Sequence, residues 1–193
     1  MAKPALHHVT VKTTRLQAMV DWYATVIGAE VIFQDAVAAW LTNDGANHRF
    51  ALLAVPGISD DPGKRDHAGL HHSAYEFETF GDLVETYVRL RAEGIVPAFC
   101  LDHGLTLSLY YADPDGNHVE LQVDGFGSWQ ASSEWMNTSP VFADNPIGVF
   151  FDPEAMLADH EAGVGFDEIH RRARDSVYLP EIIPNIGLPD VAS

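Results

Sequence analysis

Cysteine and basic residues are both scarce in this sequence of 193 residues, and each shortage excludes a class of protein. Cys100 is the only cysteine, so no internal disulfide can form and a cytoplasmic protein is expected. The chain has 11 Lys and Arg against 28 Asp and Glu, and its net charge of -17 makes nucleic acid and anionic membranes poor partners. Met1 to Thr10 lacks the apolar segment of a signal peptide, and no apolar run approaches the length of a membrane span.

Histidine, by contrast, stands at informative positions. The pairs His7-His8 and His71-His72 each open a short apolar strand, and Glu120 lies in another apolar strand after the turn sequence of residues 113–117. Two imidazoles and one carboxylate on three strands are the ligand set of the triad that holds non-haem Fe(II) and leaves coordination positions open. An unpaired buried carboxylate is costly, and a metal ion offsets that cost. The pattern therefore predicts an open metal site.

A repeat surrounds these residues. Each histidine pair is followed by a stretch with helical spacing of apolar residues, Leu16 to Gly28 and Phe80 to Gly94, and then by two or three short strands. Asp44-Gly45 and Asp115-Gly116 supply the turn chemistry of hairpins. Because one copy cannot bury a one-sided sheet alone, the two copies should pair. We predict an α+β fold in which two paired βαβββ modules form a curved sheet around one metal site, with a C-terminal extension.

Capping residues and apolar spacing predict the bounds of the elements. Thr13 or Thr14 is expected to cap the first helix and Thr79 the second, with Gly28 and Gly94 ending them. The expected strands lie near residues 30–33, 36–41 and 49–55 in the first module, and near residues 96–101, 105–111 and 118–123 in the second.

The loss of the repeat indicates the domain organisation. The modules span about residues 5–56 and 68–125, are joined by a linker containing Pro and Gly, and are predicted to form one domain over residues 1–128. Residues 129–193 are predicted to be an extension that packs on this domain or on a neighbouring subunit of a homo-oligomer. Helices are expected within the extension at Pro153 to His160 and at Asp167 to Asp175.

The paired modules and their motifs resemble the vicinal oxygen chelate superfamily, which includes glyoxalases, bleomycin resistance proteins and extradiol dioxygenases. Within it they are most similar to a single-domain extradiol catechol dioxygenase. The resemblance covers about residues 5–125 and implies that His8, His72 and Glu120 are the metal ligands. It also implies Fe(II) as the cofactor, with Mn(II) sharing the same ligand set, and a catechol-type substrate together with O2.

The same resemblance implies three catalytic residues. His48 matches an acid-base catalyst, His103 matches a second active-site histidine, and Tyr110 matches a tyrosine ten residues before the ligand glutamate. Side chains alternate along a strand, so only one of Tyr110 and Tyr111 can point inward. From the residues alone, His48 is equally consistent with a turn cap, and His103 with a surface loop.

The other histidines are interpreted as non-catalytic. His7 and His71 are expected to face away from the metal, and His118 to lie on the strand surface. Cys100, between apolar neighbours, is expected to be a small buried hydrophobe. No motif surrounds the three remaining histidines, His67, His160 and His170.

Three classes of function stay open. An extradiol dioxygenase is favoured, because the last strand of the first module, Phe50 to Val55, has no carboxylate to act as a fourth ligand. A glyoxalase-type lyase or isomerase would need that fourth ligand, and a thiol transferase would need a basic pocket, yet only Lys12 and Arg49 lie near the motifs. A metal-free binding protein would have no use for the triad. Five aromatic residues of the extension are candidates to close the pocket or to anchor the extension: Trp129, Trp135, Phe142, Phe150 and Phe151.

Overall fold

The computed structural model describes residues 2–186, and these divide into two compact units. Unit 1 holds the chain up to Gly69 together with Ala112–Asn117, and unit 2 holds Leu70–Tyr111 and the chain from His118 onward. In the described part of the chain, every helix is too short or too polar to cross a bilayer.

Unit 1 contains the first βαβββ module. Its four-stranded sheet has the order β1-β4-β3-β2, with β1 parallel to β4 and the other neighbours antiparallel. The observed order of elements therefore matches the predicted module. The elements are β1 (Val9–Lys12), α1 (Leu16–Val26), β2 (Glu30–Gln34), β3 (Ala38–Thr42) and β4 (Phe50–Leu53).

Helix α1 buries one apolar face and lacks a side-chain cap. Met19 and Tyr23 lie on the buried face, at the spacing that places residues i and i+4 on one side of a helix. The predicted cap at Thr13 or Thr14 is wrong, because the helix begins one residue later, with Arg15 at the N-cap position. The Thr13 hydroxyl instead accepts a hydrogen bond from the Arg15 backbone N–H at 2.9 Å.

Unit 2 contains the second module and the described part of the extension. Its five-stranded sheet has the order β5-β8-β7-β6-β9, in which β5 and β8 are parallel. The second module thus repeats the strand-helix-three-strand order of the first, and the α+β class is confirmed. Its elements are β5 (His72–Phe77), α2 (Phe80–Ala92), β6 (Phe99–Asp102), β7 (Thr106–Ala112) and β8 (His118–Asp124).

Helix α2 begins and ends where the sequence predicts. The Thr79 hydroxyl accepts a hydrogen bond from the Asp82 backbone N–H at 3.2 Å, as an N-cap does. Gly94 adopts φ +78°, and the N–H of Ile95 bonds to the carbonyl of Leu90 at 2.9 Å, which is the Schellman arrangement of a helix C-terminus. Both caps predicted for α2 are confirmed.

The described part of the extension adds a strand and four helices to unit 2. β9 (Val149–Phe150) pairs antiparallel with β6, so this part of the chain becomes the edge of the sheet. The helices α5 (Pro153–Glu161) and α6 (Phe166–Arg174) lie within one residue of their predicted bounds. Two others, α3 (Trp129–Thr138) and α4 (Pro140–Asp144), were not predicted, although Ser128 and Ser139 cap them. Residues 187–193 of the predicted extension lie outside the described residues.

Candidate active site

His72 and Glu120 lie side by side on the two parallel strands β5 and β8. In the register of this pair, Ala74 stands opposite Glu120. His72 and Ala74 are two residues apart and share one face of the sheet, so His72 is a diagonal neighbour of Glu120. The His72 Nε2 lies 3.0 Å from Glu120 Oε2. The structure therefore brings together two of the three residues predicted to bind metal.

His103 and Tyr110 complete a cluster around Glu120. His103 follows β6, and its Nδ1 donates a hydrogen bond to the Ile147 carbonyl at 2.6 Å. Its Nε2 lies 2.8 Å from the hydroxyl of Tyr110 on β7 and 3.7 Å from Glu120 Oε1. Because a carbonyl only accepts, Nδ1 carries the hydrogen, and in the neutral ring Nε2 is free to accept from Tyr110.

The surroundings of the cluster determine how each group is protonated. Burial raises the pKa of Tyr110 well above its ordinary value, and the charge of Glu120 adds to the shift. Burial lowers the pKa of His103, although Glu120 and the Ile147 carbonyl oppose the shift. Burial disfavours ionisation of Glu120, but hydrogen bonds from His72 and Ser108 outweigh it and hold its pKa below the ordinary value. At neutral pH the cluster therefore combines a carboxylate, a phenol and a neutral imidazole.

A cleft of about 580 Å³ opens on this cluster within unit 2. No Lys or Arg is among the described residues that line it, whereas Glu76, Glu120 and Asp124 are. Glu120 is only 4% exposed, and among the described residues its ion-pair partners are the imidazoles of His72 and His103, with no Lys or Arg. A buried carboxylate flanked by imidazoles is a donor set that fits a divalent cation.

The extension contributes aromatic residues to the cleft. Trp129 and Phe142 line it, as the pocket-closing interpretation predicts. Phe151 is buried in the core and Phe150 packs against Tyr110 and its neighbours, so these two anchor the extension instead. The ring of Trp135 contacts Phe142 at 5.8 Å between centroids.

The two adjacent tyrosines of β7 differ as alternation requires. Tyr110 lines the cleft and contacts His103, whereas Tyr111 is 1% exposed and absent from the cleft lining. Burial also raises the pKa of Tyr111, and its hydroxyl finds no hydrogen-bond partner among the described residues. The expectation that only one of the two faces the site is confirmed, and it is Tyr110.

In unit 1 the structure gathers a second group of imidazoles. One ring nitrogen each of His7, His8 and His48 lies within 4.8 Å of the others. The rings of His8 and His48 are 4.5 Å apart between centroids, and desolvation together with the neighbouring imidazoles lowers the pKa of His48. Two predicted site residues are therefore neighbours here. Since His8 lies in unit 1 and His72 and Glu120 lie in unit 2, joint ligation of one metal ion by all three is a proposal.

His7 and His71 lie closer to the ligand candidates than expected. The Nδ1 atoms of His7 and His8 are 3.1 Å apart, and those of His71 and His72 are 2.8 Å apart. Strand β1 begins at Val9 and β5 at His72, so the first histidine of each pair precedes its strand. Strand alternation does not apply there, and the expectation that these two rings face away from the metal stays a prediction.

The sequence interpretation missed His170. This residue of α6 is 4% exposed, and its Nδ1 lies 2.6 Å from Oδ2 of Asp102. Its Nε2 lies 3.2 Å from the carbonyl of Gly104, so both contacts flank His103. The expectation that His170 stands apart from any functional cluster is wrong, because it contacts both neighbours of His103. The available signal was its place beside Ile169 on the apolar face of an otherwise charged helix. Cys100 is buried as expected.

Comparisons with known proteins find a matching family and similar sequences over most of the chain. Residues 5–121 match the family described as the Glyoxalase/Bleomycin resistance protein/Dioxygenase superfamily. The chain is 40% identical over 191 residues to biphenyl-2,3-diol 1,2-dioxygenase 2 of Rhodococcus globerulus. The matched region covers 99% of this chain and 97% of that relative. It is also 41% identical over 170 residues to biphenyl-2,3-diol 1,2-dioxygenase 3 of the same organism. That match covers 88% of this chain and 89% of the relative.

Solved structures share the fold at lower identity. A glyoxylase/bleomycin resistance protein/dioxygenase domain from Frankia sp. EAN1pec superposes with a TM-score of 0.55 and 20% identity over 66% of this chain and 96% of that one. A lactoylglutathione lyase from Agrobacterium tumefaciens superposes with a TM-score of 0.51 and 18% identity, over 67% of this chain and 98% of that one. These similarities concern the fold alone.

Proposed function

Because this chain belongs to the glyoxalase/bleomycin resistance protein/dioxygenase superfamily, we propose that it opens the ring of a biphenyl-2,3-diol-type catechol with O2 at a non-haem metal centre. The class of reaction is extradiol dioxygenation, since the two relatives at 40% and 41% identity are named for it. The observation that supports this reaction most directly is the pairing of His72 with the buried Glu120 at 3.0 Å, beside His103 and Tyr110.

The proposed metal ligands are His8, His72 and Glu120. The donor set fits a divalent cation, because a buried carboxylate that has no Lys or Arg partner is stabilised when a cation binds it. Fe(II) is the proposed ion, and Mn(II) accepts the same ligands. The chemistry that such a centre supplies is ligation of both catechol oxygens and activation of O2.

The chain's own residues would bind and orient the substrate and move its protons. His103 presents a neutral Nε2 that can accept a proton, because its Nδ1–H is engaged by the Ile147 carbonyl. Tyr110, kept protonated by its raised pKa, can donate a hydrogen bond to a catechol oxygen. His48 beside His8 is proposed as a second acid-base group, and its lowered pKa keeps it neutral.

The cleft is suited to an uncharged aromatic substrate. Leu105, Met136 and Phe142 provide apolar contacts for a second ring, and a volume of about 580 Å³ falls in the range of small-molecule sites. Glu76 and Asp124 add negative charge to the lining. A catechol that carries a carboxylate would therefore be disfavoured by repulsion.

The alternative functions find less support. Strand β4 (Phe50–Leu53) offers no carboxylate as a fourth ligand, which a glyoxalase-type lyase or isomerase would need. A thiol transferase with an anionic substrate would need basic residues, and the described lining of the cleft has none. A metal-free binding protein would leave the buried charge of Glu120 with imidazoles alone as partners.

The test is product analysis. Anaerobically purified protein reconstituted with Fe(II) is mixed with biphenyl-2,3-diol under isotopically labelled O2, with metal-free protein as the control. Both labelled atoms should appear in one yellow semialdehyde product, opened beside the two hydroxyls. A diacid formed by cleavage between the hydroxyls, or no oxygen uptake by iron-replete protein, would contradict the proposal.

A further inference from the structure

The loop that carries His103 is held by buried polar contacts from the extension. Asp102, only 1% exposed, accepts a hydrogen bond from the Gly104 backbone N–H through Oδ1 at 2.8 Å. Its other oxygen, Oδ2, lies 2.6 Å from His170 Nδ1, which is an ion-pair distance, and neither of these two buried atoms forms a hydrogen bond among the described residues. The Asp102 carboxylate therefore contacts both the Gly104 backbone, just after His103, and helix α6, which lies some seventy residues further along the chain.

His170 faces an acceptor with each of its ring nitrogens. The Asp102 carboxylate lies next to Nδ1 and the Gly104 carbonyl lies 3.2 Å from Nε2. Removing the imidazole would leave two buried oxygen acceptors without the ring beside them, and a buried polar group without a partner is unfavourable. His170 and Asp102 therefore hold the loop as one unit.

The extension packs closely against this loop. Gly104 adopts φ +82°, and a Cβ there would lie 2.3 Å from the Trp135 ring. Gly148 adopts φ +101°, and a Cβ there would lie 2.2 Å from the carbonyl oxygen of Asp102. The neighbouring Ile147 carbonyl is the acceptor for His103 Nδ1. The extension thus contacts the loop from α3, from the segment before β9 and from α6.

We propose that His170 is a positioning residue for His103, acting through Asp102 and the Gly104 backbone. The expected effect on kcat rests on the proposed function, whereas the expected effect on the His103 ring does not. With His170 in place, the His103 ring keeps Nδ1–H on the Ile147 carbonyl and directs Nε2 to the Tyr110 hydroxyl. Without it, the loop relaxes and Nε2 loses that fixed direction.

The kinetic test is a double-mutant cycle. His170→Phe keeps a ring in the helix but removes both ring nitrogens. It should lower kcat roughly 10- to 100-fold, the scale of a displacement of about 1 Å, with KM and bound metal near wild type. His160→Phe, the same substitution in α5, is the matched control and should retain wild-type turnover. In the His103→Gln background, His170→Phe should cause no further loss, because its effect passes through His103. Losses that multiply would overturn the proposal.

The structural test needs no turnover. Imidazole nitrogen NMR of the full chain loaded with diamagnetic Zn²⁺ should show His103 as the fixed Nδ1–H tautomer in the wild type and as a mixture in His170→Phe. If the wild type turned over no catechol, the proposed function would fail while this measurement still decided the role of His170. An unchanged His103 spectrum in His170→Phe would overturn that role.

A second variant covers the case in which His170→Phe does not fold. A Cβ at Gly125 would lie 2.5 Å from His170 Nε2, so Gly125→Ala should displace the ring while His170 is retained. The same loss of the fixed His103 tautomer is expected. A folded Gly125→Ala protein with the wild-type His103 spectrum would contradict the proposal.

Discussion

Protonation at the level of single residues makes the cluster in unit 2 suited to catalysis. Hydrogen bonds from His72 and Ser108 hold one buried carboxylate ionised, while burial keeps one phenol protonated and one imidazole neutral. Groups so close together with their pKa values pushed apart are characteristic of active sites. Substitutions that change one atom are therefore the most informative experiments at this scale.

The proposed ligands should be inseparable from the metal. Changing His8, His72 or Glu120 to Ala should remove bound iron and activity together. Iron affinity should fall at least about 10-fold, because even mutating a residue that only hydrogen-bonds to a metal ligand often lowers metal affinity that much. His67→Ala is the control, because His67 pairs with Asp61 in unit 1. Stoichiometric iron and turnover in any of the three variants would remove that residue from the ligand set.

Tyr110 and Tyr111 form a matched pair for testing the hydroxyl. Tyr110→Phe should slow turnover by about 10²-fold while iron stays bound, because it removes the donor beside His103. Tyr111→Phe should leave turnover intact and be neutral or slightly stabilising, because the Tyr111 hydroxyl is buried without a described partner. Equal turnover losses in the two variants would show that packing, and not the hydroxyl, is responsible.

His48 should contribute to catalysis without holding the metal. His48→Gln is expected to keep iron and lose turnover within the 10²–10⁴ range of general acid-base groups. Metal content and single-turnover rates measure the two effects separately. Loss of iron from this variant would instead make His48 a ligand, and full activity would leave it as a turn residue.

At the scale of elements, charged side chains stabilise the last helix. Glu168 of α6 receives hydrogen bonds at 2.8 Å from both Arg171 and Arg172, which lie three and four residues further along the helix. Arg172 also reaches Asp159 of α5 at 2.6 Å. These contacts hold α6, and with it His170, against the preceding helix.

This arrangement predicts a pH dependence of stability. Hydrogen bonds from Arg171 and Arg172 lower the pKa of Glu168 to about 2. Because its folded pKa lies below the unfolded value, its stabilising contribution is complete above about pH 4.5 and is lost as pH falls toward about 2. Glu168→Gln should therefore lower the urea midpoint at neutral pH, and its difference from wild type should shrink in acid. Glu161→Gln, which removes an exposed carboxylate at the end of α5, is the control, and a pH-independent difference would contradict the assignment.

At the scale of the whole molecule, charge should influence the choice of substrate. The net charge is -17, and the described lining of the cleft is acidic. Repulsion between a negatively charged protein and a negatively charged substrate slows their encounter, and salt screens this repulsion. Raising the ionic strength should therefore increase kcat/KM for a carboxylated catechol while leaving the value for biphenyl-2,3-diol nearly unchanged. Equal salt responses of the two substrates would show that charge does not discriminate between them.

Local patterns in the sequence were sufficient for much of the fold. Thr79 and Gly94 mark the ends of α2, and apolar spacing locates α5 and α6 within one residue, because caps and amphipathic faces are properties of neighbouring residues. Helix α1 shows the limit of such reasoning. Two threonines offered a cap, but the chain turns into the helix after both of them, and Arg15 occupies the N-cap position.

The sequence by itself determined the α+β class, the repeat and the residue types available for chemistry. Only the tertiary structure decided that His72 lies against Glu120, that Tyr110 rather than Tyr111 faces the cleft, and that His170 lies beneath the His103 loop. The reason is that these contacts join residues far apart in the chain. Strand register and helix packing create them, and the local sequence around His170 or Asp102 does not say which distant residue each will meet.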